Sequence, residues 1–250
     1  MKLMFDGGWC ATVTDGPLHV RPRLTAGSVR VAEYADVVGR ERFRADTFGS
    51  EDFLWDDPDD LRFHRADRRL AGAEFRMPKE AASAEDSARL PLTPAVRPGG
   101  LRADQVQDFR HEMCTVLCRA PGDAVLTGLR DLDVLDEPLE ARVGIAPDVA
   151  LLVQHGTVVG WSLTDPVRYL TTGFEAPDPA PPSDRTRRLF TECLDLTTTP
   201  VIDDLMDGEP AALGRLRAAD EALRAQREDR RRADALLSLI ANLVEDYGNR

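Results

Sequence analysis

Long apolar runs are missing from this chain of 250 residues. The stretches 143–146 and 149–154 fall far short of the roughly 20 apolar residues that cross a bilayer as a helix, so no membrane span is expected. Residues 1–10 carry one lysine, then Asp6 and a Gly7-Gly8 turn, with no apolar core of a leader, so export by a standard signal is not expected either. Cysteine is scarce. Cys10, Cys114, Cys118 and Cys193 are too few for a disulfide framework, and the spacing of Cys114 and Cys118 would strain a bridge, which points to reduced thiols in a cytoplasm. Lysine is nearly absent, since only Lys2 and Lys79 accompany 30 arginines, and there are just two asparagines and three isoleucines. Residues with A/T-rich codons are the rare ones, the coding habit of a high-GC bacterium such as an actinomycete. Positive charge is also in deficit: 44 acids against 32 bases leave a net charge of −12, a field that repels phosphates and anionic lipid. Neither nucleic acid nor membrane is an expected partner.

What is present is an ordinary folding composition, 42% apolar and 30% charged, in a chain long enough for one large domain or two small ones. Short β-prone runs at residues 2–5, 9–14, 18–23 and 28–34 are separated by Asp6-Gly7-Gly8, Asp15-Gly16-Pro17 and Ala26-Gly27, which predicts an antiparallel sheet. An internal similarity follows. Residues 60–78 align without a gap on residues 148–166, pairing Leu61 with Val149, Phe63 with Leu151, Gly72 with Gly160, Phe75 with Leu163 and Pro78 with Pro166. Each copy has the pattern of strand, polar turn, strand and proline stop.

With residues 53–55 and 140–145 as preceding strands, and amphipathic helices over 102–119 and 185–196, two β-β-β-loop-α units are expected, spanning about 52–118 and 140–196. The fold class predicted is α+β: a mainly antiparallel sheet from two related units in a pseudo-twofold arrangement, making a duplicated domain over 1–200. A helical region over 201–250 follows. Its start is marked by Asp207-Gly208-Glu209-Pro210, and a featureless arginine-rich stretch, 224–232, makes its helix either solvent-spanning or broken there. The proline-rich segment 175–183 is a candidate linker.

The two hairpins differ in their faces. In the second, Val149, Leu151 and Val153 share one side and Ala150 and Leu152 the other, so both sides look buried. In the first, Arg62, His64, Glu74 and Arg76 share a side that must meet water or a polar partner. The acid block just upstream includes Asp56, Asp57, Asp59 and Asp60, so these eight residues form the candidate binding surface. His64 near Glu74 across the hairpin could move a proton.

Other constellations carry less. His111, Cys114 and Cys118 would share one face of a helix, but among Val106, Phe109, Met113 and Leu117 they are small core residues rather than zinc ligands, and no metal is assigned. Asp203, Asp204 and Asp207 match a DDxxD string without the second acidic motif that chemistry needs. Asp131, Asp133, Asp136 and Glu137 lack the glycine of a calcium loop. His155 falls at a hairpin tip. Walker, G-x-G-x-x-G, G-x-S-x-G, H-E-x-x-H and kinase patterns are all absent, and no cofactor is assigned. The expectation is therefore a cytoplasmic bacterial binding or regulatory protein, of the immunity-protein or accessory-subunit kind. It would contact a protein partner through the first hairpin, with self-association through the last helix open to it. The alternative is a small-molecule enzyme of specialised metabolism with a pocket between the two units.

Overall fold

The computed structural model describes residues 1–5, 8–50, 59–91, 93–111 and 113–248. Its strands, numbered in chain order, divide between two mostly antiparallel sheets. The larger, with ten described strands, runs β10 (Gly100–Ala103), β2 (Cys10–Thr14), β1 (Lys2–Met4), β15 (Thr157–Thr164), β12 (Val125–Leu129), β11 (Val116–Arg119) and β8 (Glu80–Ala81). From β15 branch β14 (Val149–Gln154), β13 (Ala141–Ala146) and β9 (Arg97–Pro98). The smaller sheet runs β3 (Arg23–Thr25), β4 (Ser28–Val31), β7 (Leu70–Arg76), β6 (Asp60–His64) and β5 (Thr47–Gly49). The helices are α1 (Val37–Asp46), α2 (Ala84–Ala88), α3 (Asp184–Thr197), α4 (Val201–Met206), α5 (Pro210–Arg224) and α6 (Arg230–Tyr247), concentrated in the carboxy-terminal part.

The α+β content is as expected, but the amino-terminal strands do not form one sheet. β1 and β2 join the larger sheet, while β3 and β4 join the smaller. The run 18–23 spends itself on the passage between them, where the Leu18 N–H donates to Ile145 O at 2.7 Å and only Arg23 enters a strand.

The apolar faces of the two sheets meet. Leu24, Val29, Phe48, Leu61, Phe63 and Phe75 from the small sheet share one buried cluster with Leu3, Leu117, Leu126, Leu151 and Trp161 from the large one. Phe75 stacks on Trp161 with centroids 5.6 Å apart. Trp161 lies across Gly128 on β12, where a Cβ would stand 2.5 Å from the indole nitrogen, so this cross-strand position needs glycine. The opposite face of the large sheet is sealed by Val134, Leu135 and Leu139 against Val116, Cys118, Leu129, Leu152 and Val159. β14 is accordingly buried at every position: residues 149–153 as their apolar sequence predicts, and Gln154 with its amide donating to Val134 O and Glu137 O at 3.2 and 2.9 Å.

Residues 60–78 and 148–166 both form antiparallel hairpins, and the residue skipped on the second strand is Ala71 in one and Val159 in the other, equivalent positions in the alignment. Their turns differ. His64 N–H donates to Arg69 O across four intervening residues, whereas only His155 and Gly156 separate Gln154 from Thr157. The hairpins also belong to different sheets. Beyond them the expected first unit departs from the second. Residues 102–119 are not a helix: β10 and β11 occupy its two ends. Val106 and Met113, which completed the helical stripe, are exposed, while Leu101, Ala103, Val116 and Leu117 pair into the large sheet. The expected strand 53–55 lies outside the described residues. The second segment, β13, β14, β15, loop and α3, has the β-β-β-loop-α order, whereas among the described residues β6 and β7 lead to the two-residue β8 and the short α2.

α3, α5 and α6 pack together, and their Phe190, Leu216, Leu223, Leu236 and Ile240 continue the main buried cluster. α5 begins at Pro210, as its start pattern predicts, and the arginine-rich stretch is a break between helices. Arg232, at the end of that stretch, is buried. It donates to Asp229 Oδ1 (2.9 Å), Val167 O (3.2 Å), Asp178 O (2.9 Å) and Ala180 O (2.6 Å), so it pins the proline-rich segment 175–183 against α6. Asp229 accepts from Thr186 Oγ1 at 2.8 Å, which closes the network onto α3. A second bridge runs from sheet to helices: Arg119 on β11 meets Asp195 at 2.6 Å, and Asp195 meets Arg215 on α5 at 2.9 Å.

Candidate functional site

The outer face of the small sheet carries the polar residues that strand alternation assigns to it, and much of that face is satisfied within the chain. Arg30 on β4 lies opposite Glu74 on β7 and donates two bonds to its carboxylate, at 3.0 and 2.7 Å. Arg76 stands 3.6 Å from the same carboxylate. Burial alone would push Glu74 up, but the bonds and charge of Arg30 outweigh it and hold the carboxyl below its ordinary range. Arg62 donates to Thr47 Oγ1 at 3.2 Å and to Arg44 O at 3.4 Å, and lies 3.8 Å from Asp60. Arg23, buried on β3, donates to Tyr34 O and Phe174 O at 2.9 and 3.0 Å, with its guanidinium 5.3 Å from the Tyr34 ring centre. Phe43 of α1 sits over Gly72, where a Cβ would come within 3.0 Å of its ring.

The eight candidate residues therefore separate. Asp56 and Asp57 lie outside the described residues. Asp60, Arg62, Glu74 and Arg76 are half-buried and engaged by their own chain. His64 is exposed at the hairpin tip, and its expected pairing with Glu74 is not made. The register sets Asp60 opposite Glu74 and His64 opposite Thr47, so Glu74 stands at the other end of the hairpin from His64, where Arg30 takes its carboxylate. Asp59 turns inward. It is fully buried, Oδ1 accepts the Arg76 N–H at 2.8 Å, and burial pushes its carboxyl up to about 6 despite that bond. The Cys114 thiol abuts this carboxyl, and burial together with the Asp59 charge pushes it well above the ordinary thiol range. Burial likewise pushes Cys118 up to about 11 and Cys193 up to about 12. Cys114 and Cys118 belong to cores on opposite faces of the large sheet, so the expected single face of His111, Cys114 and Cys118 does not exist. Among the described residues no group of three or more His, Cys, Asp or Glu side chains is arranged to hold a metal ion.

Several arginines lie at the hairpin-tip end of this sheet. At the tip of the first hairpin, Arg65 N–H donates to Asp46 O at the end of α1 (3.2 Å), and Ala103 N–H on β10 donates to Arg68 O (2.8 Å). Arg69 and Arg102 form an isolated bridge, and Arg102 donates to Asp67 O at 3.3 Å. These contacts bring Arg65, Arg68 and Arg69 from the turn together with Arg102 from β10 and with the last turn of α1, which carries Arg44. The acids among them are Asp46 and Asp67, the latter 3.7 Å from Arg69, while nearby Asp104 meets Lys2 at 2.8 Å. Sequence reasoning missed α1, Arg30 and Tyr34. A usable sign was Asp36, whose carboxylate accepts the Gly39 N–H at 2.6 Å and caps α1 in the ordinary way.

Compared with protein-family models, curated proteins and solved structures, the chain matches none.

Proposed function

We propose that this chain is a cytoplasmic binding or regulatory protein, of the accessory-subunit or immunity-protein kind, that docks an acidic protein surface on its arginine-rich end. The observation that carries this reading is the concentration of five arginines, Arg44, Arg65, Arg68, Arg69 and Arg102, from three separate segments at one end of the small sheet, in a chain whose net charge is −12. Glu74 is held by Arg30 and Asp59 is turned inward, and the acids left beside the patch, Asp46 and Asp67, are outnumbered there by the arginines. Such a patch speeds encounter with a complementary surface and selects against partners of like charge. Arginine suits the role, because its planar fork binds carboxylates in pairs and gives up its hydration cheaply. The low global charge balance favours a protein over a nucleic acid as the anionic partner.

The test is capture from nuclease-treated lysate of the native cell with the wild-type chain and with a folded Arg65→Glu/Arg69→Glu/Arg102→Glu variant. A stoichiometric partner held by the wild type, released by salt and lost from the variant is the expected result. Identical recovery by both proteins, or nothing recovered by either, overturns the reading.

A further inference from the structure

A second feature shares no residue with the arginine-rich end. Where the end of β2 approaches the edge formed by β9 and β13, the surface opens into a cleft of about 360 Å³. At about 30 Å³ per water, that is room for on the order of a dozen waters, within the range of small-molecule sites. Its walls are mainly apolar, with Val13 and Val143 on the two strands and Pro94 and Pro98 on the strap between them. The strap is held against the sheet by close backbone contact: Gly99 N–H donates to Gly144 O at 3.0 Å, and β9 pairs with β13 through Arg97 and Val143. The packing leaves no slack there, since a Cβ on Gly99 would come within 3.1 Å of Val13 and one on Gly144 within 2.9 Å of Val96.

Two guanidiniums line this apolar space, Arg142 half-buried and Arg97 exposed. Burial lowers the pKa of Arg142. Two carboxylates are also present. Glu140 Oε2 accepts the Gly156 N–H at 2.7 Å, and Asp15 is exposed.

We propose that this cleft binds a small apolar carboxylic acid, its carboxylate gripped by Arg142 and Arg97 and its body laid against Val13, Pro98 and Val143. A guanidinium presents paired N–H donors that match a carboxylate, and the match strengthens where water is scarce. The apolar walls call for a ligand with a hydrocarbon body rather than a bare anion. The two acids repel further negative charge, which disfavours the doubly charged phosphate monoester more than a carboxylate.

Titration calorimetry of the full chain with 3-phenylpropionate, its primary amide and phenyl phosphate, at neutral pH and low salt, tests this. The acid is expected to bind saturably, one per chain, with the amide and the phosphate each about tenfold weaker or more. Arg142→Met should weaken the acid about tenfold and Arg97→Met severalfold, with circular dichroism unchanged. If Arg142→Met does not fold, the exposed Arg97→Met variant and the amide comparison still decide. No saturable heat, equal affinity for acid and amide, a preference for the phosphate, or unchanged affinity in the folded variants would overturn the assignment.

Discussion

Asp59 and Glu74, joined to neighbouring strands of one sheet, respond to pH in opposite senses. Asp59 is raised from 3.8 to about 6 by burial, so its contribution is complete below pH 3.8 and disappears as pH rises through about 6. At 1.36 kcal/mol per unit the loss is about 3 kcal/mol. Asn at this position keeps an acceptor for the Arg76 N–H without a charge to bury. Asp59→Asn should therefore be more stable than wild type above pH 7, by up to about 3 kcal/mol, and should flatten the stability profile between pH 4 and 6. Urea denaturation at a series of pH values measures both, and an unaltered profile would disprove the assignment. Glu74 is depressed by Arg30, so its contribution exists above its ordinary range and fades as pH falls below about 4.5. Glu74→Gln should cost about 1.5–3 kcal/mol at neutral pH, the usual value of a hydrogen bond to a charged group. The thiols offer a further check. Cys114, Cys118 and Cys193 are buried with raised pKa values and Cys10 is partly exposed, so a disulfide reagent should titrate Cys10 rapidly in the native protein and the other three only in denaturant.

Among the elements, the junction between α5 and α6 depends on Arg232. Its guanidinium replaces water for three backbone carbonyls and the Asp229 carboxylate, and methionine would leave that carboxylate buried without its cation. Arg232→Met should cost about 3–5 kcal/mol and make segment 175–183 sensitive to protease, which limited proteolysis would show. This junction also marks a boundary of what sequence patterns reveal. The lack of an apolar stripe over 224–232 leaves a solvent-spanning helix and a break equally open, and the structure has the break; Arg232 is not told apart from its exposed neighbours Arg230 and Arg231, because the three carbonyls it bonds lie about 50 to 65 residues away. The β14–β15 hairpin was legible because eight-residue apolar patterning survives any context. The span 102–119 was not, since strands of four residues are too short to contradict a helical period, and pairing with β2 and β12 decided the matter. In the candidate site, alternation correctly put Arg62, His64, Glu74 and Arg76 on the polar side of the sheet. It could not show that Arg30 would arrive from β4 to claim Glu74.

For the molecule as a whole, charge is distributed against its own average, with arginines gathered at one end of an acidic chain. The Arg65→Glu/Arg69→Glu/Arg102→Glu variant should unfold within about 1 kcal/mol of wild type in denaturant titration, because exposed charges contribute little to the fold. A large loss of stability would mean that these side chains serve the architecture and not a partner. β15 has a different global role. It receives β14 and β12 along its length, and its first residue, Thr157, takes Met4 as a parallel neighbour. During synthesis, β1 and β2 thus emerge from the ribosome long before the strand that anchors them exists. The larger sheet closes only after residue 164 has cleared the exit tunnel, so a nascent chain stalled near residue 150 should be digested throughout, and this protein should fold late and slowly for its size.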